Sequence, residues 1–172
     1  MTFPWEKRMM KWICQKGRRS MLLSELLAPL HVGAGFQDVE ITDVVYDSRK
    51  ARPGCVFVCL RGASSDGHQY AAQAGAAGAA AILAEEPVEA SGAQVILVPD
   101  TKAALALTSA VFFGNPAERD IKVIGITGTK GKTTTAYMVR SILEAAGHKT
   151  GIIGTIGVAF GERLIKTENT TP

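Results

Sequence analysis

Aromatic residues make up only 6% of this 172-residue sequence, and no basic stripe runs through its body, which together argue against a nucleic acid as principal partner. Cysteine is scarce. Three cysteines cannot build the disulfide framework of a small secreted domain, and there is neither a C-x-x-C pair nor a histidine cluster to suggest a structural metal. Long apolar runs are missing: none approaches the ~18 residues of a membrane span. Residues 1–20 also lack the continuous apolar stretch of a signal peptide. The formal net charge of +3 is misleading, because Lys7, Arg8, Lys11, Lys16, Arg18 and Arg19 stand against Glu6 alone, so the rest of the chain is mildly acidic. A cytoplasmic protein with reduced thiols is expected.

Apolar residues are plentiful, at 47% with 20% charged, which suits a globular chain able to bury a core. The organising stretch is Gly125-Ile-Thr-Gly-Thr-Lys-Gly-Lys-Thr-Thr-Thr135. Lys122 to Ile126 has the β-branched density of a buried strand, and Met138, Val139, Ile142, Leu143 and Ala146 recur at helical spacing. A glycine-rich loop between strand end and helix start is a phosphate-binding arrangement, since unpaired N–H groups and a partial positive charge converge there. Gly128 and Gly131 allow close backbone approach, Lys132 reaches phosphate oxygens and the Thr133 hydroxyl suits Mg²⁺. The strict pattern G-x-x-x-x-G-K-[ST] would put glycine at position 126; this chain has Ile126, with Gly125 one place early, and so matches the shorter G-x-x-G-K-T core.

Residues 1–20 read as an extension upstream of a natural start at Met21, although Trp5, Met9, Trp12 and Ile13 share one helical face. A short helix with Leu23, Leu26, Leu27 and Leu30 on one side precedes the alternating run Val39–Val45, a predicted strand. Asp47-Ser48-Arg49 follows, a cluster suited either to ligand contact at a strand end or to an Asx-type turn with a surface ion pair. Cys55 to Leu60 is a buried strand with Cys55 and Cys59 on one side as core thiols. After the polar loop Arg61–Gly67 comes an alanine-rich helix, His68–Gly78, whose His68 is expected to be a surface or capping residue. Strands at Ala80–Leu83 and Val95–Val98, then a helix at Thr101–Phe113, complete an α/β pattern. Gly114–Asp120 is the domain boundary, Gly147-His148-Lys149 a helix stop, Thr150–Ile156 a strand and Val158–Ile165 a hairpin. The expected domains are therefore 21–114 and 115–172, behind the extension 1–20. The second is too short to complete the parallel sheet that a phosphate-loop domain requires, so the sequence looks truncated.

Four stretches together resemble one family. Asp47-Ser48-Arg49, the Pro53-Gly54 turn with Phe57-Val58 and the Gly62–Gly67 loop, the phosphate loop, and Gly154-Thr-Ile-Gly157 followed by Asn169-Thr170-Thr171-Pro172 resemble the Mur ligases of the MurE type. The resemblance covers about residues 21–172. It implies a small N-terminal α/β domain for UDP, followed by the first part of a Rossmann-like central ATPase domain. The implied reaction adds a third amino acid, meso-diaminopimelate or L-lysine, to UDP-MurNAc-L-Ala-D-Glu through an acyl phosphate, using ATP and Mg²⁺ in cell-wall peptidoglycan synthesis. It further implies that Gly128, Thr129, Lys130, Gly131, Lys132, Thr133 and Thr134 hold ATP, with Lys132 catalytic and Thr133 on the metal. Ser48, Ala63, Ser64 and Ser65 would meet the uridine end, and Asn169, Thr170 and Thr171 the muramoyl or pyrophosphate part. Lys130 departs from the asparagine usual in the family and adds positive charge beside the phosphates. The partners implied are the UDP-MurNAc-dipeptide and an amino acid, without nucleic acid or membrane span, in a full-length monomer. The 172 residues alone are expected to be inactive. Other readings are a folate-polyglutamate synthetase, whose pterin signature is not seen, a small P-loop ATPase or kinase, and a non-catalytic nucleotide-sugar-binding fragment.

Overall fold

The computed structural model describes residues 20–33, 35–62, 65–119 and 121–165. The chain divides into two compact units, Met1–Ile121 and Lys122–Pro172. The expectations placed on residues 1–19 and 166–172 lie outside the described residues, as do Ala63 and Ser64.

The core of the first unit is a sheet of four parallel strands in the order β3 (Asp43–Val45), β4 (Cys55–Val58), β5 (Ala81–Ala84) and β6 (Gln94–Leu97). Val44 lies opposite Val56, Phe57 opposite Ile82 and Leu83 opposite Ile96. Side chains alternate across a strand, so Cys55-Val-Phe-Val-Cys59 feeds two cores at once. Val56 and Val58 join Leu23, Leu26, Leu27, Leu83 and Phe112 on one face, under α1 (Leu23–Leu27) and α3 (Thr101–Phe112). Cys55, Phe57 and Cys59 join Ile82, Ala71 and Ala74 on the other, under α2 (Ala71–Ala76). Burial on both faces is why the β4 sequence shows no polar alternation.

The alanine content of α2 has a steric cause. A Cβ on Gly75 would lie 1.8 Å from the Ala90 carbonyl oxygen, so this helix can approach its neighbour only with small residues. Helix α3 starts at Asp100, whose carboxylate accepts from the Lys102 and Ala103 N–H groups at 2.8 and 3.0 Å. It stops where Gly114 and Asn115 turn left-handed and donate to the Val111 and Ala110 carbonyls. The four-residue helix α4 (Pro116–Arg119) follows.

The predicted strand Val39–Val45 is not one strand. Glu40–Ile41 is β2, pairing antiparallel with β1 (Met21–Leu22), whereas Asp43–Val45 joins the parallel sheet. The split falls at Thr42, whose N–H donates 2.9 Å to the Gly54 carbonyl and whose hydroxyl bonds the Pro53 carbonyl, so the chain changes partners there.

In the second unit, α5 (Lys132–Ala145) precedes an antiparallel meander of β7 (Gly151–Gly154), β8 (Gly157–Phe160) and β9 (Arg163–Ile165). The helix ends in a Schellman arrangement: Gly147, at φ +83°, donates to the Glu144 carbonyl and His148 to the Leu143 carbonyl. Arg140 ties α5 to the meander through the Gly161 carbonyl at 2.7 Å. Lys122–Ile126, expected as a strand, forms none; Val123 and Ile124 are 70% and 61% exposed. Among the described residues nothing pairs with this segment, and a parallel strand is stable only with neighbours on its edges and cover on its faces.

Candidate functional site

In parallel α/β sheets, ligands meet the loops that leave the carboxyl ends of the strands. Here those loops begin after Val45, Val58, Ala84 and Leu97. After β3, Asp47 caps a 3-10 turn at Ser48–Lys50, accepting from the Arg49 N–H and Arg49 Nε at 3.0 Å each, while its second oxygen meets Arg49 Nη2 at 2.9 Å. The Arg49 side-chain bonds hold the Asp47 carboxyl below its ordinary value. The Asx-type turn with a surface ion pair is thus present. It leaves the half-buried Ser48 hydroxyl with no side-chain bond among the described residues.

The loop after β4 has a pinched stem. Gly67 N–H donates 2.8 Å to the Leu60 carbonyl, Arg61 and Asp66 form an antiparallel bridge, and Gly62 N–H donates 2.9 Å to the Ser65 carbonyl. A Cβ on Gly67 would come within 2.6 Å of the Leu60 nitrogen, so glycine is required for this closure. The stem presents Ser65, whose hydroxyl is 3.4 Å from the Tyr70 hydroxyl.

Behind this stem lies a network that the sequence did not disclose. His68, expected as a surface or capping residue, is buried at 7% exposure. Its Nδ1 is 2.6 Å from Asp66 Oδ1, and its Nε2 accepts the Glu85 N–H at 3.0 Å. Glu85 Oε1 accepts in turn from the Thr101 N–H and hydroxyl at 3.0 and 2.9 Å, reaching the start of α3. Arg61 pairs with Glu86 at 2.9 Å and lies 3.5 Å from Asp66. Asp66 is held below its ordinary value chiefly by the His68 N–H, and Glu85 chiefly by the Thr101 N–H. The signal available in sequence was Asp66-Gly67-His68 spacing; the partner Glu85, seventeen positions from His68, was not visible. Asp66, His68 and Glu86 have ligand atoms within 4.8 Å of one another. They do not make a metal centre, because both imidazole nitrogens are already engaged and Arg61 occupies Glu86.

In the second unit Gly128 lies at φ +147° and Gly131 at φ +79°, with Gly131 in the N-cap position of α5. The first internal helical bond is Thr135 N–H to the Gly131 carbonyl at 2.9 Å, so the N–H groups of Lys132, Thr133 and Thr134 head the helix without intrahelical acceptors. Lys132 Nζ donates 2.6 Å to the Gly128 carbonyl, folding its ammonium over the loop. Thr129, Lys130, Thr133 and Thr134 are exposed alongside. Open N–H groups, a lysine and hydroxyls at the head of a fourteen-residue helix form an arrangement that accepts phosphate oxygens.

Two family models match the chain: the catalytic domain of the Mur ligase family over residues 40–127, and the Mur ligase middle domain over residues 126–172. The chain is 42% identical over 154 residues to a UDP-N-acetylmuramoyl-L-alanyl-D-glutamate--2,6-diaminopimelate ligase of Listeria monocytogenes serotype 4b, covering 88% of this chain and 31% of that protein. It is 46% identical over 136 residues to the ligase of the same description from Bacillus cereus, covering 79% of this chain and 27% of that protein. Among solved structures, MurF from Acinetobacter baumannii is similar at 31% identity and TM-score 0.58, covering 74% of this chain and 28% of the other. A UDP-N-acetylmuramoyl-L-alanyl-D-glutamate--2,6-diaminopimelate ligase shares the fold at TM-score 0.65 and 23% identity, over 89% of this chain and 31% of the other. The chain thus spans about a third of the length of these relatives.

Proposed function

The chain belongs to the Mur ligase family, and from that premise we propose that it carries the nucleotide-handling part of an ATP-dependent ligase that adds diaminopimelate to UDP-MurNAc-L-Ala-D-Glu in peptidoglycan synthesis. The observation that carries this reading is the loop at the head of α5, where Gly131 turns left-handed and three consecutive N–H groups stand open beside Lys132. The diaminopimelate relatives at 42% and 46% identity support that amino acid over lysine.

On this reading the residues divide the work. Gly128 to Thr134 receive the ATP phosphates, and Lys132 exchanges its bond to the Gly128 carbonyl for phosphate oxygens, neutralising charge as the γ-phosphoryl passes to the substrate carboxylate. The exposed Thr133 hydroxyl, at the second position of the helix, fits Mg²⁺, a hard cation that takes oxygen ligands. When bound, Mg²⁺ supplies further neutralisation of the phosphates. The amine of the incoming amino acid then attacks the acyl carbon of the acyl phosphate and displaces inorganic phosphate, forming the amide. In the first unit, Ser48 and Ser65 offer hydroxyls to the uridine end, to which Ala63 and Ser64 are assigned from their motif. One guanidinium against the carboxylates of Asp66, Glu85 and Glu86 makes that stem acidic, which suits a neutral nucleoside better than a pyrophosphate. Asn169, Thr170 and Thr171 are assigned the muramoyl or pyrophosphate part from their motif. Buried unpaired Cys55 and Cys59 accord with a cytoplasmic location, and no helix among the described residues is long and apolar enough to cross a membrane.

Titration calorimetry with a non-hydrolysable ATP analogue and Mg²⁺ tests the reading. One saturable site, weakened at least about tenfold by Lys132→Ala through loss of a charged hydrogen bond, is expected; binding unchanged by that substitution would contradict it. A second reading, that these 172 residues bind nucleotide without turnover, is favoured by the exposure of Val123, Ile124, Met138 and Ile142, which leaves the segments flanking the loop without cover. Substrate-dependent ADP release by the pure chain would exclude it.

A further inference from the structure

We infer that His68 is a positioning residue for recognition of the uridine end: a buried imidazole that fixes the Arg61–Asp66 stem to the end of β5. The inference rests on the reading of the first unit as a uridine-nucleotide site. Because His68 Nε2 accepts the Glu85 N–H at 3.0 Å, the ring hydrogen belongs on Nδ1, which then donates to Asp66 Oδ1 at 2.6 Å. One ring therefore joins the loop after β4 to the backbone after β5, the two chain segments that leave neighbouring strands at the ligand-facing edge of the sheet.

The stem has a second attachment, from Arg61 to Glu86 at 2.9 Å and Glu85 at 3.7 Å. That one is weak as an orienting device, because the Arg61 side chain is 49% exposed and Glu86 53%, so water and salt screen the pair. The His68 side chain is 4% exposed and its two bonds are directional. Asp66 also accepts the His68 N–H at 3.0 Å, so the same carboxylate caps the 3-10 turn Gly67–Tyr70 and receives the ring. A small rotation of the ring would move the carboxylate, the Arg61–Asp66 bridge and with them Ser65.

Two substitutions separate positioning from mere support. His68→Gln puts an amide near the former Nε2, keeping an acceptor for the Glu85 N–H but dropping the bond to Asp66. His68→Asn puts an amide near the former Nδ1, keeping the bond to Asp66 but leaving the Glu85 N–H unpaired. Both are measured in the full 172-residue chain for thermal midpoint and for affinity toward UDP. Each variant cuts one of the two bonds that tie the stem to β5, so both are expected to melt lower and, measured well below their thermal midpoints where each is fully folded, to lose about tenfold or more in UDP affinity, the size of a lost hydrogen bond to a charged group. UDP affinity within about threefold of the parent in either folded variant overturns the positioning role while leaving the site reading intact. A parent chain that does not bind UDP overturns the site reading, and the inference with it.

Discussion

A methyl group added at Gly75 would sit 1.8 Å from the Ala90 carbonyl oxygen and 2.7 Å from its carbon, both backbone atoms that cannot swing aside. Gly75→Ala should therefore destabilise the first unit by about 2–3 kcal/mol and lower its thermal midpoint by roughly 10–20 °C. Gly33→Ala, with nothing within 4 Å of the new carbon, should change stability by less than about 0.5 kcal/mol. Equal midpoints for the two variants would show that α2 is not packed as described. Thiol chemistry reports on the same core. Burial raises the Cys59 thiol to about 12 and raises Cys55 as well, and both are fully buried. In a Cys14→Ser variant neither should react with a thiol reagent at pH 8 until denaturant is added. The carboxyl of Glu85, lowered from its ordinary 4.5 first by the Thr101 N–H, contributes stability above the unfolded value that is lost as pH falls through the folded one. The gap in thermal midpoint between the parent and Glu85→Gln should hold from pH 7 to about 5 and close below about 4.5. A gap that widened in acid would reverse the sign of this assignment.

Elements were legible in the sequence wherever local pattern and tertiary environment agree. Cys55–Val58 reads as a doubly buried strand because it is one, and β5, β6 and α3 fall within a residue or two of their expected bounds. The run Val39–Val45 misled because alternation gives the side-chain period and not the pairing partner; the hand-over at Thr42 depends on Gly54, twelve residues away. Lys122–Ile126 misled differently. Its β-branched residues suit a strand, but a strand needs a partner to pair with, and none of the described strands pairs with this segment. The glycine-rich turn into α5 was legible because its requirements are local: two glycines at positive φ and the head of a helix. The His68 network was not, since hydrogen bonds between residues as far apart as Glu85 and Thr101 leave no period in the sequence. Helix α5 supplies the test at this scale. Met138 and Ile142 are 63% and 68% exposed, so Met138→Glu with Ile142→Glu should leave the thermal unfolding of this chain within about 0.5 kcal/mol of the parent. A loss of several kcal/mol would mean that this face is covered.

At the scale of the molecule, the two units carry distinct chemistry. The parallel sheet of the first ends in loops that offer hydroxyls and an acidic, hydrogen-bonded stem, while the second offers open N–H groups and a lysine at the head of a helix. A ligase that activates a UDP-linked carboxylate with ATP needs both kinds of site, and the family models divide the chain at residues 126–127, between those two chemistries. The most direct test is a titration of the 172-residue chain with UDP-N-acetylmuramoyl-L-alanyl-D-glutamate, with and without saturating ATP analogue and Mg²⁺. Saturable binding at one site, competed by UDP, weakened by Ser48→Ala and not displaced by the ATP analogue, is the predicted result. No binding, or displacement of the UDP substrate by the ATP analogue, would contradict the assignment of separate uridine and ATP sites.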